Sequence, residues 1–508
     1  MVDWSAGYVT DIGYTFGVYR ELAPSVLCFS AMLAGIDGPS ADQKLTYCEL
    51  GCGQGYAANI LAAANPELEI HAMDFNPAHI RGATSLAAAA GTSNIRFYDS
   101  SFAEFADDET LPQFDIVALH GVYSWIAPED RAHIVRLIRK RLKIGGLAYV
   151  SYNALPGWAA AMPLRQMLLD QAQTVAGPTE ARIEHAIRFV QRLADLKPAY
   201  FRNNPAVMER FAGIKEKQQS YLAHEYFNRH LNPFHHAEVA RELGEAKLTY
   251  VGSAHLLDHI DAAHLTPEQQ AFLGELPTGT ARETVRDFLV DQQFRRDIFI
   301  RGAVQLSPFE SGARWERARF VLSTPRSEIS LTGADPAGKA RVEEVYNPIL
   351  DALVDGPLTT RDLLALPAIR RLGRASLTQA LTVLVGTDHV QRALGEAGEA
   401  ERTAHAKAFN RAVIERARWE DRLHFLASPV TGAGVRADRI SQLFLLALRE
   451  GHDHPPRFVW DVLQAVGHRM IVEDQPLQGE DANLAELGSR FRGFASRQLP
   501  VLAGLGVA

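Results

Sequence analysis

The stretch that decides the fold is LTYCELGCGQGY, Leu45 to Tyr56. Leu45 to Leu50 reads as a buried strand and Gly51 to Gly55 as a tight turn. Tyr56 to Ala64 then reads as an Ala/Leu-rich helix. Glycines at 51, 53 and 55 let the main chain approach a ligand closely at the head of that helix. The third glycine comes one position too early for the G-x-G-x-x-G dinucleotide fingerprint. Glu49 sits at the strand end. A carboxylate there would repel a pyrophosphate and would suit a cationic amino acid moiety. Electrostatics therefore favours a positively charged cofactor over NAD.

Strand and helix patterns alternate outward from this turn. Ile70 to Met73 reads as a second strand ending at Asp74, followed by a helix over Pro77 to Ala90. Ile95 to Tyr98 is a third strand, followed by Asp99, and Phe114 to Leu119 a fourth. A helix over Ile134 to Leu142 has KIGG as its stop signal, and Leu147 to Tyr152 is a fifth strand. Such alternation predicts a parallel sheet with right-handed crossovers, an α/β Rossmann-like class. Asp74 follows Gly55 by 19 residues. An acid at that spacing can accept both hydroxyls of a ribose, and no partner for a 2′-phosphate is present. Asp99 could accept from an adenine amino group. Three acids thus end three successive strands.

The fourth strand runs into a crowded loop, FDIVALHGVYSWIAPEDR, Phe114 to Arg131. Ligands in open parallel sheets bind beyond the carboxyl ends of strands. His120, Gly121, Tyr123 and Trp125 are therefore expected to wall an active site.

The 508 residues allow more than one domain. Residues 1–158 are read as the cofactor-binding core. Residues 159–322 are read as a helical insertion plus a middle region that completes the sheet. The segment STPRSEISLTGADPAGKA, Ser323 to Ala340, is the linker candidate. Residues 341–508 are read as a C-terminal winged-helix-like and otherwise helical domain. Hydrophobic content of 47% with 22% charged residues suits a globular protein. A net charge of -8 argues against a nucleic-acid partner. The three cysteines, Cys28, Cys48 and Cys52, form no C-x-x-C pair, so neither a disulfide framework nor a zinc site is expected. The N-terminal MVDWSAGYVTDIGY is not read as a signal peptide, and no apolar run is long enough for a bilayer. A cytoplasmic location without membrane insertion is expected.

ELGCGQG (Glu49 to Gly55) and MDFNP (Met73 to Pro77), with the strand-four loop, resemble class I S-adenosylmethionine-dependent methyltransferases. HGVYSWI (His120 to Ile126), VSYNALPGW (Val150 to Trp158) and YLAHEYFNRHLNPFHHAEVA (Tyr221 to Ala240) narrow the resemblance. They are similar to the bacterial family that carries a methyltransferase regulatory domain. ASPVTGAGV from Ala427 and ISQLFLLAL from Ile440 extend it nearly to the end. Members include protein lysine methyltransferases acting on outer-membrane proteins, and homodimers occur in the family. The resemblance implies S-adenosylmethionine as cofactor and S-adenosylhomocysteine as product. It implies that Glu49, Gly51, Gly53 and Gly55 hold the methionine end. Asp74, with Phe75, would meet the ribose and Asp99 the adenine. His120 and Gly121 would lie beside the methyl sulfonium. The N-terminal arm, YVTDIGYTFGVYRELAP from Tyr8, departs from a more proline-rich arm in the lysine-modifying relatives.

Methyl transfer from a sulfonium is an in-line displacement that mainly needs positioning and exclusion of water. A lysine acceptor must lose a proton, and apolar surroundings lower its pKa. Tyr123, Trp125, Tyr152 and Trp158 are the expected aromatic wall, tolerant of a methylated ammonium. A sugar or polysaccharide hydroxyl would instead need a base, for which His120 is the candidate. His224, His230, His235 and His236 match no metal-ligand spacing, and no metal is expected. Arg361, Arg370, Arg371 and Arg374 suit a protein contact better than DNA. A scaffold or transcription regulator that keeps the cofactor site without turnover is the competing class.

Overall fold

The computed structural model describes residues 15–217, 219–331 and 342–508. The segment read for a signal peptide, residues 1–14, lies outside the described residues, as does the linker stretch 332–340. Seven strands form one sheet: β1 (Thr46–Leu50), β2 (Glu69–Asp74), β3 (Ile95–Asp99), β4 (Phe114–Leu119), β5 (Leu142–Asn153), β6 (Leu248–Ser253) and β7 (Phe294–Arg301). Their order is β3-β2-β1-β4-β5-β7-β6. The first five pair in parallel, as expected. β7 runs antiparallel to both of its neighbours, so the sheet is mixed. Its direction follows from where the chain re-enters. Phe294 opposes Asn153 at the carboxyl end of β5, so no crossover to the opposite edge is needed.

The helices follow local chemistry. After α1 (Pro24–Leu33) and α2 (Tyr56–Ala64) comes α3 (Pro77–Ala90). The Asn76 side chain caps α3 by accepting the Ala78 N–H, Pro77 occupies its first turn, and Gly91 ends it in the left-handed region. α4 (Phe102–Asp107) carries a Ser101/Glu104 capping box. α5 (Pro128–Arg141) has acids in its first turn and bases in its last, matching the helix dipole. KIGG does not stop this helix. β5 begins at Leu142, and the two glycines lie in the strand, opposite a register shift between Phe114 and Ile116. Glycine serves a β-irregularity here instead of a helix cap.

Between β5 and β6 lie α6 (Met162–Gln173), α7 (Thr179–Asp195), α8 (Ala199–Asn203), α9 (Pro205–Lys215), α10 (Gln219–Tyr226) and α11 (His236–Gly244). The first five share an apolar core of their own, which takes in Trp125 and Trp158. Burying such large apolar side chains contributes about 1.5–3 kcal/mol each.

The last third is mostly helical. β8 (Arg319–Leu322), β9 (Leu358–Thr359) and β10 (Val390–Ala393) form a separate antiparallel sheet. β8, expected to go with the middle region, therefore pairs with strands of the last third. A hairpin of β11 (Phe425–Ser428) and β12 (Ala433–Arg436) reaches back to the first third. One core joins hairpin residues Leu426 and Val435 to Tyr56 and Ile60 of α2 and Leu86 of α3. No helix among the described residues is long and apolar enough to cross a membrane.

Candidate active site

Strand alternation sorts the side chains of β1 and β5. Tyr47, Leu147 and Tyr149 pack on one face, while Cys48, Leu50, Ala148, Val150 and Tyr152 pack on the other. Glu49 shares the face of Tyr47 and is 4% exposed. Its Oε2 is buried without a hydrogen-bond partner. Burial first, then the Asp74 carboxylate, pushes the Glu49 carboxyl up to about 8. Such a group lacks a cation. A ligand ammonium would supply the missing hydrogen bond and charge.

The turn beyond Glu49 has no room for a side chain at Gly51 or Gly55. Gly51 adopts φ 72°, and a Cβ there would meet Val122 Cγ2 at 2.6 Å. Gly55 adopts φ 63°, and a Cβ there would strike Ala83 Cβ and lie 2.9 Å from Phe97. The Gly53 N–H donates to Asp74 Oδ2 at 2.9 Å, which ties the turn to the end of β2. Asp74 Oδ1 accepts the Asn76 N–H at 2.9 Å and lies 3.2 Å from His79 Nδ1. A carboxylate offers about four acceptor positions, so one remains, on Oδ2. Phe75 follows, partly buried, and Asp99 stands exposed in register with Asp74 at the end of β3.

His120 follows β4 directly and lies under an aromatic stack. Its ring lies 3.8 Å from that of Tyr19, inclined by 23°. Tyr149 lies on a near-parallel plane at 6.0 Å, and Phe294 presents its edge at 5.8 Å. His120 Nδ1 and Tyr149 Oη share a 2.7 Å hydrogen bond. Burial, aided by the Arg296 charge, lowers His120 to about 3, so its imidazole is neutral at neutral pH. The Gly121 N–H donates to Ser151 Oγ at 2.8 Å. One cavity is lined by Glu49, Gly51, Gly53, Tyr56, His120 and Tyr19.

The expected aromatic wall lies elsewhere. Tyr123 is fully buried and donates to Glu242 Oε2 at 2.5 Å. Tyr152 is equally buried and donates to Asp297 Oδ2 at 2.6 Å. Trp125 and Trp158 belong to the core of the helical insertion. Two causes are visible. Gly121, at φ 66°, turns the chain sharply after β4, and strand parity sends Tyr152 to the face opposite Tyr149. Sequence reading missed Tyr149 and Ser151, although counting alternate positions along β5 would have found them. It also missed Tyr19, which only tertiary folding brings to His120. His236 is buried against Asp297, and His235 precedes α11. Among the described residues, His255, Asp258 and His264 come together in a metal-like group. The Arg286 guanidinium already stands 3.6 Å from Asp258 there.

Comparisons with known proteins identify the family and the fold. A methyltransferase domain model matches residues 41–225, and a predicted methyltransferase regulatory domain model matches residues 218–301. An uncharacterised protein of Synechocystis sp. is 42% identical over 506 residues, covering 99% of this chain and all of that protein. PKMT2 from Rickettsia typhi in complex with AdoHcy superposes with a TM-score of 0.71 at 16% identity, covering 97% of this chain and 99% of that one. A malonyl-[acyl-carrier protein] O-methyltransferase of Paenibacillus sp. is 26% identical over 118 residues, 23% of this chain and 41% of the relative. The unpartnered buried Glu49 and the glycine turn fit S-adenosylmethionine, whose amino acid end carries an ammonium. The chain belongs to the class I S-adenosylmethionine-dependent methyltransferases that carry a methyltransferase regulatory domain.

Proposed function

We propose that the methyl acceptor is the side-chain amine of lysine in a protein substrate. The observation that carries this reading is the state of His120. A hydroxyl acceptor needs a competent base beside the transferred methyl, and an imidazole lowered to about 3 is a poor one. An amine needs only to lose its extra proton before attack, which a dry aromatic setting promotes. Tyr19 and Phe294, packed around His120, supply that setting in place of the wall expected from Tyr123, Trp125, Tyr152 and Trp158. The fold likeness to PKMT2 supports the same acceptor class.

α10 carries the acceptor side in this reading. Tyr221 on this helix is 42% exposed, and its partial burial, then Glu225, Tyr226 and Tyr19, raise its hydroxyl to about 12. Burial also pushes Glu225 up to about 7. Its carboxylate, when ionised, would attract the lysine ammonium.

On the cofactor side, Glu49 takes the ammonium and the turn at Gly51, Gly53 and Gly55 lies against the methionine end. Asp74 and Phe75 meet the ribose, and Asp99 meets the adenine amino group. His120 and Gly121 flank the methyl. S-adenosylmethionine supplies an electrophilic methyl on a good leaving group. The protein holds the acceptor nitrogen in line and keeps water out.

The test is transfer from methyl-labelled S-adenosylmethionine into a cell-envelope and cytosol extract. Label released as small peptides by protease, and recovered as methyl-lysine after hydrolysis, is the expected result. Label that survives protease would overturn the lysine reading in favour of a glycan or small-molecule acceptor.

A further inference from the structure

The described part of the N-terminal arm alternates its contacts residue by residue. Thr15, Gly17 and Tyr19 line the cofactor cavity. Phe16 and Val18, which lie between them, pack against the core shared by α2 and the C-terminal hairpin. The Arg422 guanidinium sits 4.9 Å over the Phe16 ring. The next residue, Arg20, reaches Asp388 at 3.0 Å and the Gly386 carbonyl at 3.3 Å. An extended chain turns successive side chains to opposite sides. One strip of backbone therefore touches the cofactor cavity with one edge and the last third of the chain with the other.

The hairpin is fastened at the same place. Tyr56 lines the cavity, donates its hydroxyl to the Phe425 carbonyl and accepts the Phe425 N–H at 3.0 Å. Gly434 in β12 lies directly behind the arm. A Cβ there would come 2.9 Å from Val18 Cγ1 and 3.4 Å from Ile60 Cγ2. The backbone of Gly434 is not in the left-handed region, so a side chain would be resisted by space alone.

We infer that residues 15–20 form a strap across the cofactor cavity, that Tyr19 is its closing residue against His120, and that the C-terminal hairpin and Asp388 set its position. A cofactor enclosed beneath the Tyr19–His120 stack must wait for the strap to lift. The C-terminal region then controls cofactor exchange without touching the cofactor. The inference rests on the S-adenosylmethionine site and is independent of which acceptor is used.

The test measures S-adenosylhomocysteine affinity and dissociation rate on the full-length chain, with the melting temperature of each variant as control. Gly434→Ala crowds Val18 from behind and should speed dissociation about tenfold, the scale expected for overpacking by one methyl. Val18→Ala added to Gly434→Ala vacates that space and should return the rate toward wild type. Arg20→Gln removes an exposed ion pair and should raise the rate about twofold to fivefold. Unchanged dissociation in Gly434→Ala and Arg20→Gln would overturn the strap. Faster release in Gly434→Ala that Val18→Ala fails to correct would also overturn it, since the defect would then lie in the hairpin alone. Binding by the wild-type chain separates either result from failure of the cofactor site itself.

Discussion

The ring of Tyr19 lies 3.8 Å from that of His120, the two inclined by 23°, so the arm covers the histidine at the end of β4. Aromatic pairs of this kind contribute about 0.5–1.5 kcal/mol beyond their burial. Tyr19→Ala is expected to lower kcat/KM for S-adenosylmethionine by about tenfold. Tyr19→Phe keeps the ring and should lose less than Tyr19→Ala. Steady-state kinetics of both variants check this.

Glu49 contains a second measurable consequence. Its carboxyl is held up to about 8 by burial and by Asp74. The charged form is the one that pairs with a ligand ammonium, so cofactor affinity should climb as pH rises from acid towards neutrality and level off near 8, where the ligand's own α-amino group begins to lose its proton. Glu49→Gln should flatten that rise and weaken binding by about 1.5–3 kcal/mol, the worth of a hydrogen bond to a charged group. Calorimetric titration across pH would show both effects.

His120 makes an opposite demand on stability. Burial and Arg296 lower its pKa from 6.5 to about 3. The unfolded chain therefore binds the proton more readily, and stability falls as pH drops from 6.5 toward 3. His120→Gln should lose part of this acid sensitivity, visible as a smaller fall in melting temperature on acidification. The same low pKa predicts a pH–rate profile with no limb from His120 near neutrality.

Tyr123 and Tyr152 should behave as structural residues. Each donates its hydroxyl to a carboxylate within the core, on Glu242 and Asp297 respectively. Phenylalanine at either position removes a bond to a charged group and should cost about 1.5–3 kcal/mol in denaturant unfolding. The kcat of the folded fraction should not change.

Gly55→Ala should be the severest change in the turn. It combines φ 63° with a Cβ that collides with Ala83 and Phe97. A non-glycine residue held there costs about 1–3 kcal/mol before the collision is counted. Loss of S-adenosylhomocysteine binding together with a lowered melting temperature is the expected outcome.

Much of the first third was legible locally. The helices over Tyr56–Ala64 and Pro77–Ala90 and the strand Phe114–Leu119 end where the sequence puts them, because turn glycines, an asparagine cap and a proline mark their limits. KIGG misled because two glycines signal a helix end and a strand irregularity equally well. The direction of β7 was not legible, since an apolar run carries no arrow. The positions of Glu49, Asp74 and Asp99 at strand ends were legible because strand ends can be read in one dimension.

The sequence by itself determined the acids at the strand ends, the glycine turn and the alternation of β5 that puts Tyr149 and Ser151 on one face and Tyr152 on the other. Those features depend on neighbours a few residues apart, where spacing fixes geometry. Only the tertiary structure decided that Tyr19 lies over His120, that Gly434 backs on to Val18, and that Tyr123 and Trp125 sink into cores away from the cavity. Each of these joins or separates residues that are distant in the chain or set by a single turn. Such placements are fixed by how whole layers pack, which no local pattern encodes.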